Sequence, residues 1–483
     1  MLNQINIFRN ISKEFEMSED DQNNLEKIIF SYKNEFNNSK FNTHAYFSEN
    51  DLNSDEFDPH IIDKKKSIEE VINFLKIFID KSGVNQLSSN AFGHIPGGNL
   101  YPAVLGDYIA SFTNKFSSVY FSAPGAVKLE NTLIKWIAKL IGFPETAGGV
   151  LTSGGSMANL IALTSARESI ALKSRDYERT VVYVTNKTHH SIFKSLKTIG
   201  LGEAHIRQIN IDNKYRMCPN HLQSEIEKDK NKNLIPWLIV ASAGSTDIGS
   251  VDPIDEISNI SNKFNLWLHI DAAYGGFFIL TEKGKQLFKN ISSANSITLD
   301  PHKSFYMPYG LGIIVVKDQQ NLLNTFSSQA SYMRDCKSIN ECPSPADLSP
   351  ELTRNFRSLR LWLPLKIFGI EPFKAALEEK LLLAQYLYSE LKKINRMEVL
   401  CEPELTIVVF RFQPENSEKI NDFNEMLMQK IQKDGRIFLS STNINNDIYL
   451  RIACLSFRTH IENIDFSLKI IFEKIEEIIM NSL

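Results

Sequence analysis

The feature that most constrains the fold is a series of short apolar segments that alternate with helical stretches between residues 91 and 320. Strands of this kind are buried on both faces by the intervening helices, so the pattern is typical of a mainly parallel sheet in an α/β fold. Helices are predicted over Glu130–Ile141 and Met157–Arg167. The predicted strands are Gly149–Thr152, Val181–Val184, Trp237–Ala241, Leu266–Ile270, Ser296–Leu299 and Gly312–Val316.

The flanking sequences predict two smaller parts of the chain. The first 90 residues are rich in Asn and Lys, with helical periodicity around Ile68–Ile79, and predict a helical arm that packs on a partner subunit. An amphipathic helix at Pro372–Lys393, followed by strands near Leu405–Phe412 and Tyr449–Ala453, predicts a small α+β domain. The predicted division is therefore an arm (1–90), a large domain (91–365) and a C-terminal domain (366–483).

The overall composition narrows the classes of partner. A net charge of -4 without a basic cluster gives no reason to expect nucleic acid or an anionic membrane. No apolar run approaches the ~18 residues that span a bilayer, and Met1–Asp20 lacks the apolar core of a signal peptide. The five cysteines include no CxxC pair and predict free thiols rather than disulfides or zinc. We therefore expect a cytoplasmic protein.

Two residues at predicted strand ends carry the most specific chemical signal. Asp271 ends the strand that begins at Leu266, and Lys303 follows the next strand in the segment Leu299–Lys303. A carboxylate can keep a pyridine nitrogen protonated, and an amine can carry an aldehyde as a Schiff base. This pair predicts pyridoxal phosphate chemistry on an amino acid.

A glycine-rich turn, Thr152–Ser156, follows one predicted strand and opens a helix. Glycines let the backbone approach an anion, and a helix N-terminus offers unpaired N–H groups, although an ordinary tight turn fits the segment equally well. The chain contains no GxGxxG, GxxxxGK or GxSxG motif at these strand ends. Their absence disfavours dinucleotide binding, Walker-type nucleotide binding and a serine nucleophile elbow.

Polar residues end two further strands. Adjacent histidines such as His189 and His190 point in different directions, and no third ligand accompanies them, so a metal site is disfavoured. One imidazole can instead stack on a flat cofactor, or be satisfied by backbone groups. Ala243–Thr246 is suited to a hydrogen bond with a ring substituent or to a structural turn.

In chain order, the motifs Gly154–Asn159, His269–Gly276 and Asp300–Lys303 resemble those of the group II pyridoxal phosphate-dependent amino acid decarboxylases. That family includes enzymes acting on aromatic amino acids, histidine, glutamate, cysteine sulfinate and diaminobutyrate. The resemblance extends from about Phe92 to Trp362. It implies fold type I, a seven-stranded, mainly parallel sheet, in a homodimer whose active sites lie at the subunit interface.

The resemblance also implies roles for single residues around the cofactor. Gly155 and Ser156 would hold the phosphate, with His302 assisting. His189 would stack on one face of the pyridine ring, and Ala273 would pack against the other. These assignments place the cofactor between the glycine-rich turn and two strand ends.

The remaining implied roles concern the reacting end of the cofactor and the substrate. Thr246 would lie near the ring hydroxyl, and Asp271 would pair with the ring nitrogen. Lys303 would form the Schiff base. The segment that contains His94 and Tyr101 occupies the family's substrate-pocket region, so these two residues are the pocket candidates.

Several positions depart from the family pattern. Asp300 stands where some members have asparagine near the phosphate, and we do not assign this carboxylate to the anion. Ser304 stands where many family members have a tryptophan directly after the lysine. Our alignment places Pro345 where animal aromatic decarboxylases carry a mobile-loop tyrosine that reprotonates the substrate. Phe326–Leu352 is predicted to be a mobile lid, in which Tyr332 is the alternative proton donor.

The expected reaction is decarboxylation of an L-amino acid to an amine, through a Lys303 Schiff base and a quinonoid intermediate. An aminotransferase is an alternative, for which Arg451 is the candidate carboxylate ligand. An aldehyde synthase is another alternative if the loop supplies no proton. A non-catalytic protein of the same fold is a more remote alternative. Aromatic amino acids are the first candidates for the substrate, and acidic and diamino acids remain open.

Overall fold

The computed structural model divides the chain into two compact units. The described residues are 1–39, 44–47, 65–95, 97–328, 342–415 and 417–480. The smaller unit comprises Met1–Ala91 with Gln429–Phe438, and the larger comprises Phe92–Met428 with Leu439–Leu483. The predicted boundary after residue 365 falls inside the larger unit, and the three-part division remains a prediction.

The smaller unit contains helices and a two-stranded antiparallel sheet. Its described elements before Ala91 are α1 (Leu2–Ser12), α2 (Glu19–Ser39), β1 (Tyr46–Phe47), α3 (Ile68–Phe74) and β2 (Gly83–Val84). Ser67 caps α3 in a reciprocal capping box with Glu70. A π-helical segment, Leu75–Ile79, continues α3, so the helical structure predicted around Ile68–Ile79 is present.

In the described part of the larger unit, seven strands form one sheet. They are β3 (Gly148–Thr152), β4 (Thr180–Val184), β5 (His205–Gln208), β6 (Ile235–Ser242), β7 (Trp267–Ala272), β8 (Ser296–Leu299) and β9 (Gly312–Val316). Their order is β3-β9-β8-β7-β6-β4-β5. Strand β9 runs antiparallel to both neighbours, and the other pairs are parallel. The mainly parallel α/β sheet is therefore confirmed.

The structure contains a strand at each of the six positions predicted from the sequence. The seventh strand of this sheet, β5, is not predicted from the sequence. This strand lies at the sheet edge and pairs only with β4 in the described part of the chain. It carries the polar side chains of His205, Arg207 and Gln208 instead of an apolar run, so periodicity does not identify it.

Helices cover both faces of the sheet. Neighbouring residues Val150 and Leu151 of β3 belong to different apolar cores, because successive strand side chains point to opposite faces. Leu151 shares one core with Leu133, and Val150 shares the other with Ile161. The helices of the larger unit before residue 327 are α4 (Tyr101–Thr113), α5 (Pro124–Ile141), α6 (Gly155–Ser169), α7 (His190–Thr198), α8 (Pro219–Asn231), α9 (Ile254–Phe264), α10 (Glu282–Leu287) and α11 (Gln320–Phe326).

The C-terminal part of the chain contributes a small antiparallel sheet and several helices. Its elements are α12 (Ser358–Phe368), α13 (Glu371–Leu391), β10 (Met397–Val399), β11 (Ile407–Phe412), α14 (Ile420–Asp434), β12 (Ser440–Ile444), β13 (Asp447–Ala453) and α15 (Ile461–Met480). The strand order is β10-β11-β13-β12. The predicted small C-terminal sheet is confirmed. Among the helices that the structure describes, none combines the length and apolar composition needed to cross a bilayer.

Part of the predicted lid Phe326–Leu352 is packed against the larger unit. Ser344 is buried, and its Oγ accepts a hydrogen bond from Tyr120 N at 3.0 Å. Residues 329–341, which include Tyr332, lie outside the described residues. The packed segment from residue 342 onward therefore belongs to the body of the larger unit.

Candidate active site

A cavity of about 340 Å³ lies where β3, β4, β6, β7 and β8 end. The carboxyl ends of parallel strands meet at one edge of a sheet, and this edge is where ligands bind in such folds. All eight residues that the sequence predicts to contact a cofactor line this cavity. They are Gly155, Ser156, His189, Thr246, Asp271, Ala273, His302 and Lys303.

The turn between β3 and α6 is shaped to receive an anion. Thr152 Oγ1 donates to Gly154 O at 3.0 Å, and α6 begins at the next residue. The first N–H groups of a helix have no acceptor within the helix and lie at the positive end of its dipole. A Cβ on Gly155 would lie 2.8 Å from Asp300 Oδ2, so the close approach at this turn requires glycine.

Asp271, near the end of β7, is a buried carboxylate whose two oxygens both accept hydrogen bonds. Oδ1 accepts from Ala273 N at 3.1 Å, and Oδ2 accepts from Asn159 Nδ2 at 2.9 Å. Each carboxylate oxygen has a second lone pair, so each can accept from one more donor. The carboxylate is thus held in place while it can still bind a protonated ring nitrogen.

Lys303 follows β8 in a tight turn, in which its N–H donates to Asp300 O at 2.9 Å. Its Nζ lies 3.1 Å from Asp300 Oδ2, so the two side chains form an ion pair at the cavity wall. Asp300 is buried, and its Oδ1 has no hydrogen-bond partner among the described residues. Asp300, which stands where some family members have asparagine, is therefore paired with Lys303.

His302 lies beside the anion-binding turn. Its Nδ1 is 2.7 Å from Leu311 O, and because a carbonyl only accepts, Nδ1 carries the hydrogen. A Cβ on Gly154 would lie 3.7 Å from His302 Cε1. The imidazole is thus oriented by the backbone and adjoins the turn where the sequence predicts a phosphate.

His189 caps the N-terminus of α7. Its Nδ1 accepts from Ser191 N at 3.3 Å and lies 2.8 Å from Ser191 Oγ. Burial lowers the pKa of His189, and the nearby charge of Asp271 opposes that shift, so the ring is neutral at neutral pH. No group of three or more His, Cys, Asp or Glu side chains in the described part of the chain could hold a metal ion.

Lys187 is a cavity residue that the sequence analysis does not identify. Its Nζ forms an ion pair with Asp247 Oδ2 at 2.8 Å, and Asp247 directly follows the predicted cofactor residue Thr246. The pair joins the loops after β4 and β6. A lysine in a polar loop gives no periodic signal, so sequence alone does not separate it from surface lysines.

The two residues predicted for the substrate pocket do not belong to this set. His94 and Tyr101 do not line the cavity. Burial and the charge of Arg451 lower the pKa of His94. Pro345, aligned with the loop tyrosine, is buried in a 3₁₀ turn, and Tyr332 lies outside the described residues. The substrate-pocket assignments remain predictions.

A buried hydrogen-bond network in the wall of the cavity is also not predicted from the sequence. It joins Asn159, Ser191 and His269 to Asp271. Asn159 lies one helical turn after Gly155, and His269 lies two residues before Asp271 on a strand. Both spacings place each pair on one face of its element, and this periodicity is the signal that could have identified the network.

These features fit pyridoxal phosphate. The cavity contains a helix N-terminus suited to a phosphate, a lysine amine suited to an aldehyde, and a carboxylate positioned for a ring nitrogen. The fold and the site thus define a pyridoxal phosphate enzyme of fold type I.

The chain belongs to the pyridoxal-dependent decarboxylase family. The model of the pyridoxal-dependent decarboxylase conserved domain matches residues 52–413. An aromatic-L-amino-acid decarboxylase of Bacillus atrophaeus is 35% identical over 393 residues, which are 80% of this chain and 82% of that protein. A phenylacetaldehyde synthase of Arabidopsis thaliana is 26% identical over 425 residues, which are 85% of this chain and 87% of that protein. The protein is therefore a pyridoxal phosphate-dependent carboxy-lyase.

A solved structure supports the same fold. The crystal structure of Oryza sativa TDC with PLP and tryptamine matches with a TM-score of 0.90 at 22% identity, covering 96% of this chain and 99% of that chain. The family resemblance, the fold type and the cofactor predicted from the sequence are all confirmed.

Proposed function

We propose that this protein decarboxylates an aromatic L-amino acid to the corresponding amine and carbon dioxide. The observation that carries the proposal is that Lys303 and Asp271 line one cavity, with the Asp271 carboxylate already held by two N–H donors. Relatives named as aromatic-L-amino-acid, tyrosine and tryptophan decarboxylases support the aromatic substrate.

Bound pyridoxal phosphate supplies an aldehyde and an electron-withdrawing ring, which together allow carbon dioxide to leave an amino acid. Lys303 provides the amine that attaches the cofactor. Asp271 holds a proton at the ring nitrogen, because a buried carboxylate favours the positively charged ring. Gly155 and Ser156 would hold the phosphate at the start of α6, and His189 would pack on the ring.

The composition of the cavity wall favours decarboxylation over transamination. An aminotransferase holds the substrate carboxylate with an arginine near the ring plane. Among the described residues that line the cavity, none is an arginine, and the candidate Arg451 lies outside the lining. The cavity wall therefore provides no arginine that would hold the substrate carboxylate in the plane of the ring.

Aldehyde synthesis is the second candidate, and two observations favour it. Pro345, which cannot donate a proton, stands at the aligned position of the loop tyrosine. Two relatives are named phenylacetaldehyde synthase and 4-hydroxyphenylacetaldehyde synthase. A site without that proton donor would convert the same substrates, with oxygen and water, to aldehyde, carbon dioxide, ammonia and hydrogen peroxide.

Product analysis tests the proposal. The holoenzyme is incubated with tyrosine, tryptophan and phenylalanine, with glutamate and 2,4-diaminobutyrate for contrast, and all products are quantified. We expect equal amounts of carbon dioxide and amine from at least one aromatic substrate. Aldehyde with peroxide would favour the second candidate. Keto acid without carbon dioxide would reject both, and a cofactor-loaded protein without turnover would indicate a non-catalytic role.

The attachment site has its own test. Borohydride reduction of the holoenzyme, followed by peptide mapping, should leave the pyridoxyl label on Lys303. The variant Lys303→Ala should carry no label and should not release carbon dioxide. A label on Lys187, the other lysine of the cavity lining, would overturn the assignment.

We also propose that the protein is a homodimer, and helix α4 supports this. Its small residues Ala103, Gly106 and Ala110 are buried, and a Cβ on Gly106 would lie 2.6 Å from Leu359 O of α12. On the side turned away from α12, Val104 and Phe112 are 37% and 64% exposed. A row of exposed apolar residues on a helix is typical of an interface.

Active sites near the interface are part of this proposal, because α4 begins at the pocket candidate Tyr101, which does not line the cavity of its own subunit. Analytical ultracentrifugation of Val104→Glu/Phe112→Glu should give a monomer where the native protein gives a dimer. Leu382→Glu, at a 69% exposed position on α13, is the matched control and should remain dimeric. A native monomer would reject the proposal.

A further inference from the structure

One buried amide connects two of the proposed cofactor residues. Asn159 of α6 is 1% exposed. Its Nδ2 donates to Asp271 Oδ2 at 2.9 Å and to Ser191 Oγ at 2.9 Å. Its Oδ1 lies 3.0 Å from His269 Nε2. Both amide hydrogens and the amide oxygen are therefore engaged.

The chemistry of the neighbouring groups determines which end of the Asn159 amide faces Asp271. An ionised carboxylate only accepts, so the amide nitrogen of Asn159 must face Asp271 and the amide oxygen must face His269. Burial lowers the pKa of His269, so this ring is neutral and carries its single hydrogen on Nε2. Its Nδ1 then accepts from Ser296 Oγ, at 2.9 Å.

The second arm of the network reaches His189. Because Asn159 donates to Ser191 Oγ, the Ser191 hydroxyl hydrogen is directed to His189 Nδ1 at 2.8 Å. The Ser191 N–H donates to the same nitrogen at 3.3 Å. Two donors thus converge on Nδ1, and the neutral His189 ring carries its hydrogen on Nε2.

We propose that Asn159 is a positioning residue that orients Asp271 and, through the Ser191 hydroxyl, reinforces the Nε2–H tautomer of His189. The inference rests on the proposed function, in which these two residues contact the cofactor ring. One amide thereby bonds to the carboxylate of Asp271 and is linked through Ser191 to the imidazole of His189. Asn159 acts through these neighbours because its own hydrogen-bonding groups are already occupied.

Three variants separate positioning from a general contribution to the core. Asn159→Leu keeps the approximate volume and removes both donors and the acceptor. Ser191→Ala removes only the arm to His189 and leaves the backbone N–H on Nδ1. Ser165→Ala is the matched control, because Ser165 is also buried on α6 and its Oγ has no hydrogen-bond partner among the described residues.

The first measurement is steady-state kinetics of the holoenzymes. We expect Asn159→Leu to lower kcat about 10- to 100-fold with little change in KM, because a lost bond to a buried carboxylate weakens its hold on the ring rather than substrate binding. Ser191→Ala should lower kcat only a few-fold, and Ser165→Ala should leave kcat unchanged. A kcat for Asn159→Leu within two-fold of native would overturn the proposal.

The second measurement uses cofactor-free protein and does not depend on activity. Spectra of ¹⁵N-histidine-labelled protein, with His189 and His269 assigned through His189→Gln and His269→Gln, report the tautomer of each ring. We expect an Nε2–H form of His189 in native protein, Ser165→Ala and Asn159→Leu, because the Ser191 N–H still donates to Nδ1. The Nδ1 signal should be shifted in Asn159→Leu relative to native protein and Ser165→Ala, because the Ser191 hydroxyl is no longer directed to that nitrogen. An unchanged His189 signal in Asn159→Leu would overturn the proposal. If native protein decarboxylates nothing, the proposed function fails and these spectra alone decide whether Asn159 positions His189.

Discussion

Two buried arginines of the larger unit have opposite electrostatic surroundings. Arg354 Nη2 forms an ion pair with Glu130 Oε2, and its Nη1 donates to Leu151 O at 3.0 Å. Arg451 Nη1 donates to Gly93 O and to a serine hydroxyl, but Nε and Nη2 have no partner among the described residues. Burial lowers the pKa of Arg451.

The difference indicates that the buried charge of Arg354 stabilises the fold, whereas that of Arg451 does not. Glu130 accepts from Leu151 N at 3.0 Å, so the Arg354 pair binds both backbone groups of a residue in β3, an edge strand of the sheet. That strand leads directly into the turn proposed for the phosphate. Arg451 has no equivalent charged partner bonded to it in the described part of the chain. Burying a charge without a paired charge opposes folding, so stability does not account for Arg451.

Removing the paired arginine is the strongest test of this comparison. Arg354→Met should lower the free energy of unfolding by about 3–5 kcal/mol, because it leaves Glu130 buried without its counter-charge. Urea unfolding of the cofactor-free protein measures the loss. The double variant Glu130→Gln/Arg354→Met should lose less than the sum of its single variants. A loss below about 1 kcal/mol for Arg354→Met would contradict the role of the pair.

Asp271 extends the comparison to a buried anion held by neutral donors. Asp271→Asn should reduce the rate of the holoenzyme by about 10²-fold or more, because a neutral amide no longer stabilises the positive ring nitrogen. The free energy of unfolding should change less than in Arg354→Met, since no buried charge loses its partner and the amide oxygen can still accept from one of the two donors, Ala273 N or Asn159 Nδ2. Turnover close to native would indicate that another group maintains the charge of the ring.

The buried imidazole of His269 makes the free energy of unfolding depend on pH. Its pKa in the folded protein is lowered by burial, so below its ordinary value of about 6.5 the unfolded chain binds a proton that the folded chain excludes. This contribution to stability is complete above pH 6.5 and is lost as the pH falls, by up to about 1.4 kcal/mol per pH unit.

Urea unfolding between pH 6.5 and 5 measures this effect. His269→Gln keeps an N–H donor for Asn159 and should show a pH dependence smaller by one proton. Equal slopes for the variant and the native protein would contradict a neutral, buried His269.

The smallest effect is expected at the unpaired arginine. Arg451→Met should leave the free energy of unfolding unchanged or raise it by about 1 kcal/mol, because relief from burying a charge offsets the lost bonds of Nη1. The same urea experiment measures this change beside Arg354→Met. A loss of about 3 kcal/mol or more would show that the two arginines are equivalent and would remove the basis of the comparison.

Much of the site could be predicted because its residues are tied to the ends of strands. Lys303, Asp271 and His189 follow apolar segments that periodicity identifies, and parallel strands bring those ends to one edge. The same reasoning does not apply to His94 and Tyr101. They precede the first strand of the main sheet, so strand order does not determine their distance from the cavity.

The amino-acid sequence by itself determined the strands with continuous apolar runs, the helices between them and the residues at their carboxyl ends, because each is encoded by local periodicity. Only the tertiary structure decided which distant polar groups meet. Glu130 and Arg354, or Asn159 and His269, have no periodic relation in the chain, and they pair because packing brings them together where water is excluded and each buried polar group requires a partner.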